Sequence, residues 1–166
     1  MSDTLLRSFL FNVRLTLAPR PSPDDPTLTA PFSDGGFQEV TGLEIELDVQ
    51  EYQEGGRNDG TIRRVGRAKY QPIVLKRGMF YGDSGTVNSG LWQWLQSIAS
   101  GARPVPRCNG VIQVMRETTA ASEVAAMWTF DRGLPVRVRG PQLNAKTGEI
   151  AIEELHIAHE GMRLSA

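Results

Sequence analysis

One stretch constrains the fold more than any other: residues 37–56, FQEVTGLEIELDVQEYQEGG. In its centre, apolar and polar residues alternate strictly over eight positions. This period of two predicts a half-buried β-strand that turns one face to a core and the other to water. The predicted inner face comprises Leu43, Ile45, Leu47 and Val49, and the predicted outer face comprises Glu44, Glu46, Asp48 and Gln50.

The acidic outer face of this strand predicts that a cationic surface lies against it, because like charges on one strand face repel each other. Residues 1–55 carry ten acidic and three basic residues, whereas residues 57–107 carry nine basic and two acidic residues. The net charge of −1 therefore conceals an acidic first third and a basic middle. We interpret this polarity as that of a protein that assembles with copies of itself. The residues predicted to make this electrostatic contact between subunits are Glu44, Glu46, Asp48, Arg57, Arg63, Arg64, Arg67 and Lys69.

The length and composition predict one soluble domain that spans residues 1–166. A chain of this size can bury a substantial core, and its 17 glycines and 10 prolines suit short strands joined by turns. Cys108 is the single cysteine, so the fold does not depend on a disulfide within the chain. We identify neither a signal peptide nor an apolar run near the roughly 20 residues that cross a bilayer. Synthesis and folding in the cytoplasm, without a membrane anchor, are therefore expected.

Two segments are predicted to be exposed. Residues 19–36 hold five of the ten prolines, which cannot donate to a sheet ladder, so this segment is expected to form a long exposed loop. Residues 55–69 begin with turn-forming residues and continue as a strongly basic stretch with few apolar side chains. Because this stretch cannot bury itself, it is expected to form a projecting loop or hairpin.

Periodicity predicts the remaining elements. Further strands or extended segments are expected at residues 9–17, 70–77, 111–117, 124–130 and 134–139. Residues 91–100 have helical apolar spacing, which predicts one helix with Trp94 and Leu95 in the core and a stop at Gly101. In residues 149–159 the apolar phase shifts, which predicts a β-bulge at Glu153 and Glu154. The fold class is thus mainly β: an antiparallel β-barrel or sandwich of about seven strands with one flanking α-helix.

The sequence contains no constellation that indicates an enzyme, a cofactor or a metal site. His156 and His159 would point to opposite faces of a strand, so they are not expected to share a metal ion with Glu160. Ser84 lacks the glycine pattern of a nucleophile elbow, and the glycines near residue 55 lack phosphate-binding spacing. Nucleic acid is a disfavoured partner, because aromatic residues hardly interleave with the basic stretch.

Four ordered segments resemble the tail-tube family of contractile phage tails and phage-tail-like contractile injection systems. They are residues 37–56, YQPIVLKRG, LWQWLQSI and WTFDRGLPVRVRGPQLNAKTGEIAIEELHIAHEGM. The resemblance runs from residue 37 to residue 162, with residues 9–17 as the usual opening strand, and only residues 19–36 depart from the pattern. It implies a β-barrel with a flanking helix, six of which form a ring. Rings would stack into a hollow tube inside a contractile sheath, and the segment matching residues 55–69 would reach a neighbouring subunit or ring.

The resemblance also implies a structural rather than an enzymatic role, without cofactors. The partners it implies are copies of the chain itself, a sheath protein, baseplate and spike proteins, and cargo in the lumen. Nucleic acid would be a partner only in a phage tail that conducts it. The mature protein would belong to a phage tail or to a released or injected particle. Three roles stay open: the repeating tube subunit, a tube-initiation ring that adapts the tube to the baseplate, and a secreted carrier ring of the type VI kind.

Overall fold

A computed structural model describes residues 6, 10–17, 31–34, 36–56, 60–81, 85–117, 122–146 and 148–165. Within these residues the chain forms ten β-strands and one helix, so the predicted mainly β class is confirmed. The strands are β1 (Phe11–Leu17), β2 (Pro31–Asp34), β3 (Glu39–Thr41), β4 (Ile45–Tyr52), β5 (Ile62–Tyr70), β6 (Ile73–Gly78), β7 (Cys108–Glu117), β8 (Ser122–Arg139), β9 (Ile152–Ala158) and β10 (Gly161–Ser165). The helix is α1 (Gly90–Ala99).

The long strand β8 organises the main sheet, in which every pairing is antiparallel. Its first half pairs with β7 and its second half with β9, while β10 continues along the same edge of β8 as β9. The order is β2-β1-β7-β8-β9-β6-β3, with β10 on β8. Buried side chains from both halves form one core, which gives a sandwich-like arrangement. Within the described residues the sheet stays open between β2 and β3 rather than closing into a barrel.

β8 changes direction between its two halves at Arg132, which adopts φ +55°. The Arg132 backbone N–H donates to Asn109 Oδ1 at 3.0 Å, and its side-chain Nε donates to Glu160 Oε2 at 2.9 Å. Arg107 Nη1 lies 3.1 Å from the other oxygen of the same carboxylate. Glu160 therefore ties the start of β7, the bend in β8 and the turn between β9 and β10 together.

Close packing at this bend depends on small residues. A Cβ at Gly110 would lie 2.0 Å from the Phe130 ring, which is itself almost fully buried. The ring of Phe130 can approach β7 this closely only because Gly110 has no side chain. The core residues are Val13, Leu15, Phe37, Ile73, Leu75, Leu91, Trp94, Cys108, Ile112, Phe130, Leu155, Ile157 and Met162.

The predicted helix is confirmed, and it covers part of the core with Leu91 and Trp94. Leu95 was predicted to lie in the core, but its side chain is half-buried rather than fully buried. The helix ends as predicted before Gly101, which adopts φ +94°. Trp94 Nε1 donates to the carbonyl oxygen of Pro106 at 2.9 Å and so ties the helix to the segment that leads into β7.

Two predictions about strands are wrong. The register of β9 against β6 runs without a shift through Glu153 and Glu154, so no β-bulge lies there. Glu153 keeps the alternation and points into the interior, where its charge is met by Arg77. Residues 31–34, predicted as part of the proline-rich loop, form β2 at the edge of the sheet beside β1. Residues 19–30 of that loop lie outside the described residues.

Candidate subunit interface

The acidic and basic segments form the β4–β5 hairpin, a two-stranded sheet separate from the main one. Ile45 pairs with Tyr70, Val49 with Val65 and Tyr52 with Ile62, and the register shifts between Leu47 and Val49. Residues 62–70 of the basic segment therefore form a strand that pairs with the acidic strand, and residues 57–59 lie outside the described residues. Both faces of a two-stranded sheet are open unless another element covers them, and such a hairpin is only marginally stable by itself.

The opposite charges of the two strands meet within the same chain. Lys69 Nζ lies 2.6 Å from Asp48 Oδ1, and Arg63 Nε lies 3.4 Å from Glu51 Oε1. The hydrogen bond and charge of Asp48 raise the pKa of Lys69 above its usual value. The Arg64 guanidinium lies 5.1 Å from the centre of the Tyr52 ring, which is a cation–π contact. The cations that the acidic strand needs are thus supplied first by its own partner strand.

The other residues predicted to form the electrostatic contact make fewer contacts within the described part of the chain. Glu46 is the register partner of Lys69 and reinforces the positive charge there. Glu44 and Arg67 are exposed and form no ion pair within the described part of the chain. Arg57 lies outside the described residues. The contact between subunits therefore stays a prediction for these residues.

The predicted inner face of the acidic strand is wrong in one respect, because most of it does not reach a core. Only Leu43, just before β4, packs against the main core. Four apolar side chains that β4 and β5 place on this face are 52–77% exposed. We call them the hairpin face; they are Ile45, Leu47, Val49 and Val65. Within the described residues neither strand of the hairpin pairs with the main sheet, and this apolar surface is left largely exposed.

The base of the hairpin is held firmly to the body. Gly42 adopts φ +85°, and a Cβ there would lie 2.1 Å from the Pro72 carbonyl oxygen, so only glycine fits this turn. His159 Nε2 lies 3.2 Å from the carbonyl oxygen of Gln71, and its ring packs against those of Tyr70 and Phe130. The hairpin therefore leaves the body from a fixed point beside the turn between β9 and β10.

A row of alternating charge crosses the outer face of the main sheet. In register order the row is Glu39, Lys76, Glu154 and Arg139. Lys76 Nζ lies 2.8 Å from Glu39 Oε1, and Glu154 contacts His156 on its own strand. The hydrogen bond from His156, aided by the charges of His156, Lys76 and Arg139, lowers the pKa of Glu154 below its usual value.

This lowered pKa predicts a loss of stability in acid. A carboxylate whose pKa is lower in the folded than in the unfolded chain stabilises the fold above the unfolded value. That contribution is lost as the pH falls from the pKa of the unfolded chain through the lower pKa of the folded chain. We expect Glu154→Gln to flatten the dependence of melting temperature on pH in this range. Glu149→Gln, which changes an exposed glutamate outside the row, should reproduce the wild-type dependence, and a similar flattening in that variant would contradict this assignment.

Neither a metal centre nor a membrane-spanning helix is found in the described part of the chain. No group of three or more His, Cys, Asp or Glu side chains there is arranged to hold a metal ion. His159 lies against carbonyl oxygens, and Glu160 binds two arginines. No helix among these residues has the length and apolarity needed to cross a bilayer. Ser84 lies outside the described residues.

A known protein family matches nearly the whole chain. The family model described as T4-like virus tail tube protein gp19 matches residues 7–163. The chain belongs to the gp19 tail tube family. The predicted family resemblance is confirmed by this match, which spans nearly the whole chain. No curated protein sequence matches the chain.

Solved structures of contractile injection systems share the fold of this tail tube family member. A chain from the anti-feeding prophage baseplate has a TM-score of 0.77 at 24% identity, over 99% of this chain and 97% of that one. A chain from the PVC sheath–tube complex in the extended state has a TM-score of 0.71 at 21% identity, over 98% and 92%. A chain from the PVC sheath/tube terminator has a TM-score of 0.73 at 20% identity, over all of both chains.

Proposed function

We propose that this protein is a structural subunit of the inner tube of a contractile injection system or contractile phage tail. Six copies form a ring, and rings stack into a tube with a hollow lumen. Residues 1–166 act as one tail-tube domain. The observation that carries this proposal is the β4–β5 hairpin, which belongs to a chain of the tail tube family and exposes both its faces. A hairpin of this kind gains stability when a neighbouring subunit covers it.

The proposed partners follow from the same assembly. The relatives in fold come from a baseplate, a sheath–tube complex and a sheath/tube terminator. We therefore propose contacts with sheath and baseplate or spike proteins, with cargo inside the lumen. The protein would be synthesised and assembled in the cytoplasm and would act without enzymatic activity.

The role of an initiation ring at the baseplate is a second candidate, favoured by the likeness to a chain of the anti-feeding prophage baseplate. Copy number separates the two roles. A repeating subunit dominates the mass of a purified particle, whereas an initiation protein contributes one ring or so. Quantitative mass spectrometry of purified particles distinguishes the two, and negative-stain microscopy of the isolated protein tests for six-fold rings. A monomer at tens of micromolar in low and moderate salt would contradict the proposed function.

The charged residues of the hairpin are proposed to orient neighbouring subunits. Arg67 is the sharpest test, because it forms no ion pair within the described part of the chain. We expect Arg67→Glu to weaken the formation of rings or tubes while changing the free energy of unfolding by only about 0.5 kcal/mol or less. An exposed contact is worth about 0–1 kcal/mol, but a ring repeats it at every subunit.

Microscopy and thermal melting on the same samples check this expectation. Arg103→Glu, a reversal at an exposed position after the helix, is the matched control and should assemble normally. Added salt should weaken wild-type assembly in the same direction as the Arg67 reversal, because screening acts over about 8–10 Å. Normal tubes from Arg67→Glu would remove this residue from the interface.

A further inference from the structure

An irregularity in the second half of β8 turns two arginines outward. The register of β8 against β9 shifts between Pro135 and Arg137. Pro135 is buried, so regular alternation would place Arg137 and Arg139 on the same inner side. The shift instead sets these arginines beside His156 and Glu154, which alternate with the buried side chains of β9. Both arginines therefore lie on the outer face of the main sheet, and both are exposed.

The register shift is unfavourable for the fold by itself. It interrupts the regular hydrogen-bond ladder between β8 and β9, and it leaves the apolar side chain of Val136 51% exposed. Bulges of this kind redirect side chains next to functional sites. What this one achieves is the outward direction of Arg137 and Arg139, so a role for these two side chains explains why the irregularity is there.

The two arginines carry positive charge that the other charges of this face do not balance. The two carboxylates of the charged row, Glu39 and Glu154, are contacted by Lys76 and His156. Neither arginine forms an ion pair within the described part of the chain. Among the described residues, the second half of β8 pairs with β9 alone, so no further strand covers the arginines from the side. An anionic partner would supply the missing charge.

We propose that Arg137 and Arg139 bind an acidic peptide segment of a second protein in an extended conformation. Alternate residues of a strand lie about 7 Å apart on one face, and an extended peptide with acidic residues at alternate positions has the same spacing. Each guanidinium presents a planar fork that binds a carboxylate through two hydrogen bonds. The inference goes beyond the proposed tube and does not depend on it, because the single chain already exposes both arginines.

The surroundings of the arginines favour a peptide over a nucleic acid. Glu39 and Glu154 lie on the same face of the sheet, so a continuous phosphate backbone that crossed it would meet negative charge. The described strand residues that share this face include no Phe, Tyr or Trp side chain on which a base could stack. A short acidic peptide needs to meet only the two arginines.

Fluorescence anisotropy tests the site with a defined probe. The probe is a fluorescein-labelled peptide in which threonine and glutamate alternate, and its control carries glutamine in place of every glutamate. At low salt we expect the wild-type protein to bind the acidic peptide and not the glutamine peptide. Arg137→Gln combined with Arg139→Gln should weaken binding about tenfold, because two exposed charge pairs are lost. Added salt should weaken wild-type binding through screening.

Two further variants make the comparison specific. Arg163→Gln is the matched control, because Arg163 is an exposed arginine on β10, in another part of the sheet, and it should bind the acidic peptide like the wild type. Arg137→Lys combined with Arg139→Lys keeps both charges but loses the planar forks, so its loss of affinity should be smaller than that of the double glutamine variant. Thermal melting of each variant checks that the fold is kept.

Each outcome decides the proposal. Binding that falls in the double glutamine variant and is unchanged in Arg163→Gln supports it. Equal binding by the double glutamine variant, equal affinity for the glutamine peptide, or no binding by the wild type would overturn it. Competition by single-stranded oligothymidylate as strong as that by unlabelled acidic peptide would make nucleic acid the occupant and would also overturn it. Negative-stain microscopy of the same samples reports rings and tubes separately, so normal tubes without peptide binding would contradict this site alone.

Discussion

Replacing Glu153 with alanine is expected to lower the free energy of unfolding by about 3–5 kcal/mol. Glu153 is 1% exposed and Arg77 is 5% exposed, and Arg77 Nε lies 2.5 Å from Glu153 Oε1. Trp92 Nε1 donates to the other carboxylate oxygen at 3.2 Å. The substitution removes the carboxylate that faces the buried Arg77 guanidinium, and it removes the acceptor that ties α1 to β9. Chemical denaturation followed by circular dichroism measures the loss.

The exposed pair between Arg116 and Glu123 supplies the control. Its charged atoms are 2.6 Å apart, but both side chains are more than half exposed. Glu123→Ala should therefore cost only about 0–1 kcal/mol. Replacing both buried partners, as Arg77→Met with Glu153→Leu, should recover much of the loss because both buried charges are removed together. Equal losses from Glu153→Ala and Glu123→Ala would show that burial of the pair does not matter.

This ion pair also marks the limit of sequence reasoning about the fold. Glu153 lies between Ile152 and Glu154, and a rule that turns carboxylates to solvent forces an apparent phase shift there. The structure instead keeps the alternation and buries the carboxylate, because Arg77 lies across from it on β6. Arg77 lies 76 positions earlier in the chain, so no local sequence pattern predicts this ion pair. Regular strand alternation therefore predicts the direction of this side chain more reliably than its polarity does.

Local sequence patterns were sufficient to predict several other elements of the fold. The apolar spacing of α1, its stop at Gly101 and the strands at residues 111–117 and 124–130 follow from the local sequence, and the structure confirms each of them. The acidic strand shows what such patterns do not predict. Alternation correctly predicts that Ile45, Leu47 and Val49 share one face, but it does not say what covers that face. In the single chain nothing in the described residues does so fully, and the cover is a property of the assembly we propose.

The sequence alone indicated the candidate interface, because the acidic and basic segments are adjacent in the chain. A single turn between them is enough to bring their charges together. The structure places Lys69 on Asp48 and Arg63 near Glu51 within one hairpin. Charge polarity alone could not separate such pairing inside the chain from pairing between chains. The exposed apolar side chains of the hairpin face, visible only once the fold is known, provide the better guide to a docking surface.

Trp94→Ala is expected to cost about 3–5 kcal/mol, in the range of other large-to-small truncations of buried aromatic residues. Trp94 is 3% exposed in the core that α1 shares with the sheet. The cavity is one part of the loss. The other part is the hydrogen bond from Nε1 to the Pro106 carbonyl oxygen at 2.9 Å, whose acceptor would be left without this donor.

Two further variants separate these contributions. Trp94→Phe keeps most of the ring volume but removes the indole N–H, so its cost should exceed the net value of one hydrogen bond, about 0.5–1.5 kcal/mol, yet remain below that of alanine. Gln93→Ala changes the exposed neighbour, whose amide bonds only to Ser89 Oγ at 2.8 Å among the described contacts, and should stay within about 0.5 kcal/mol. Denaturant unfolding of all three variants gives the comparison. If Trp94→Ala lost no more than Gln93→Ala, the helix would not contribute its buried face to the core. If Trp94→Phe matched Trp94→Ala, the hydrogen bond rather than packing would dominate how α1 is held.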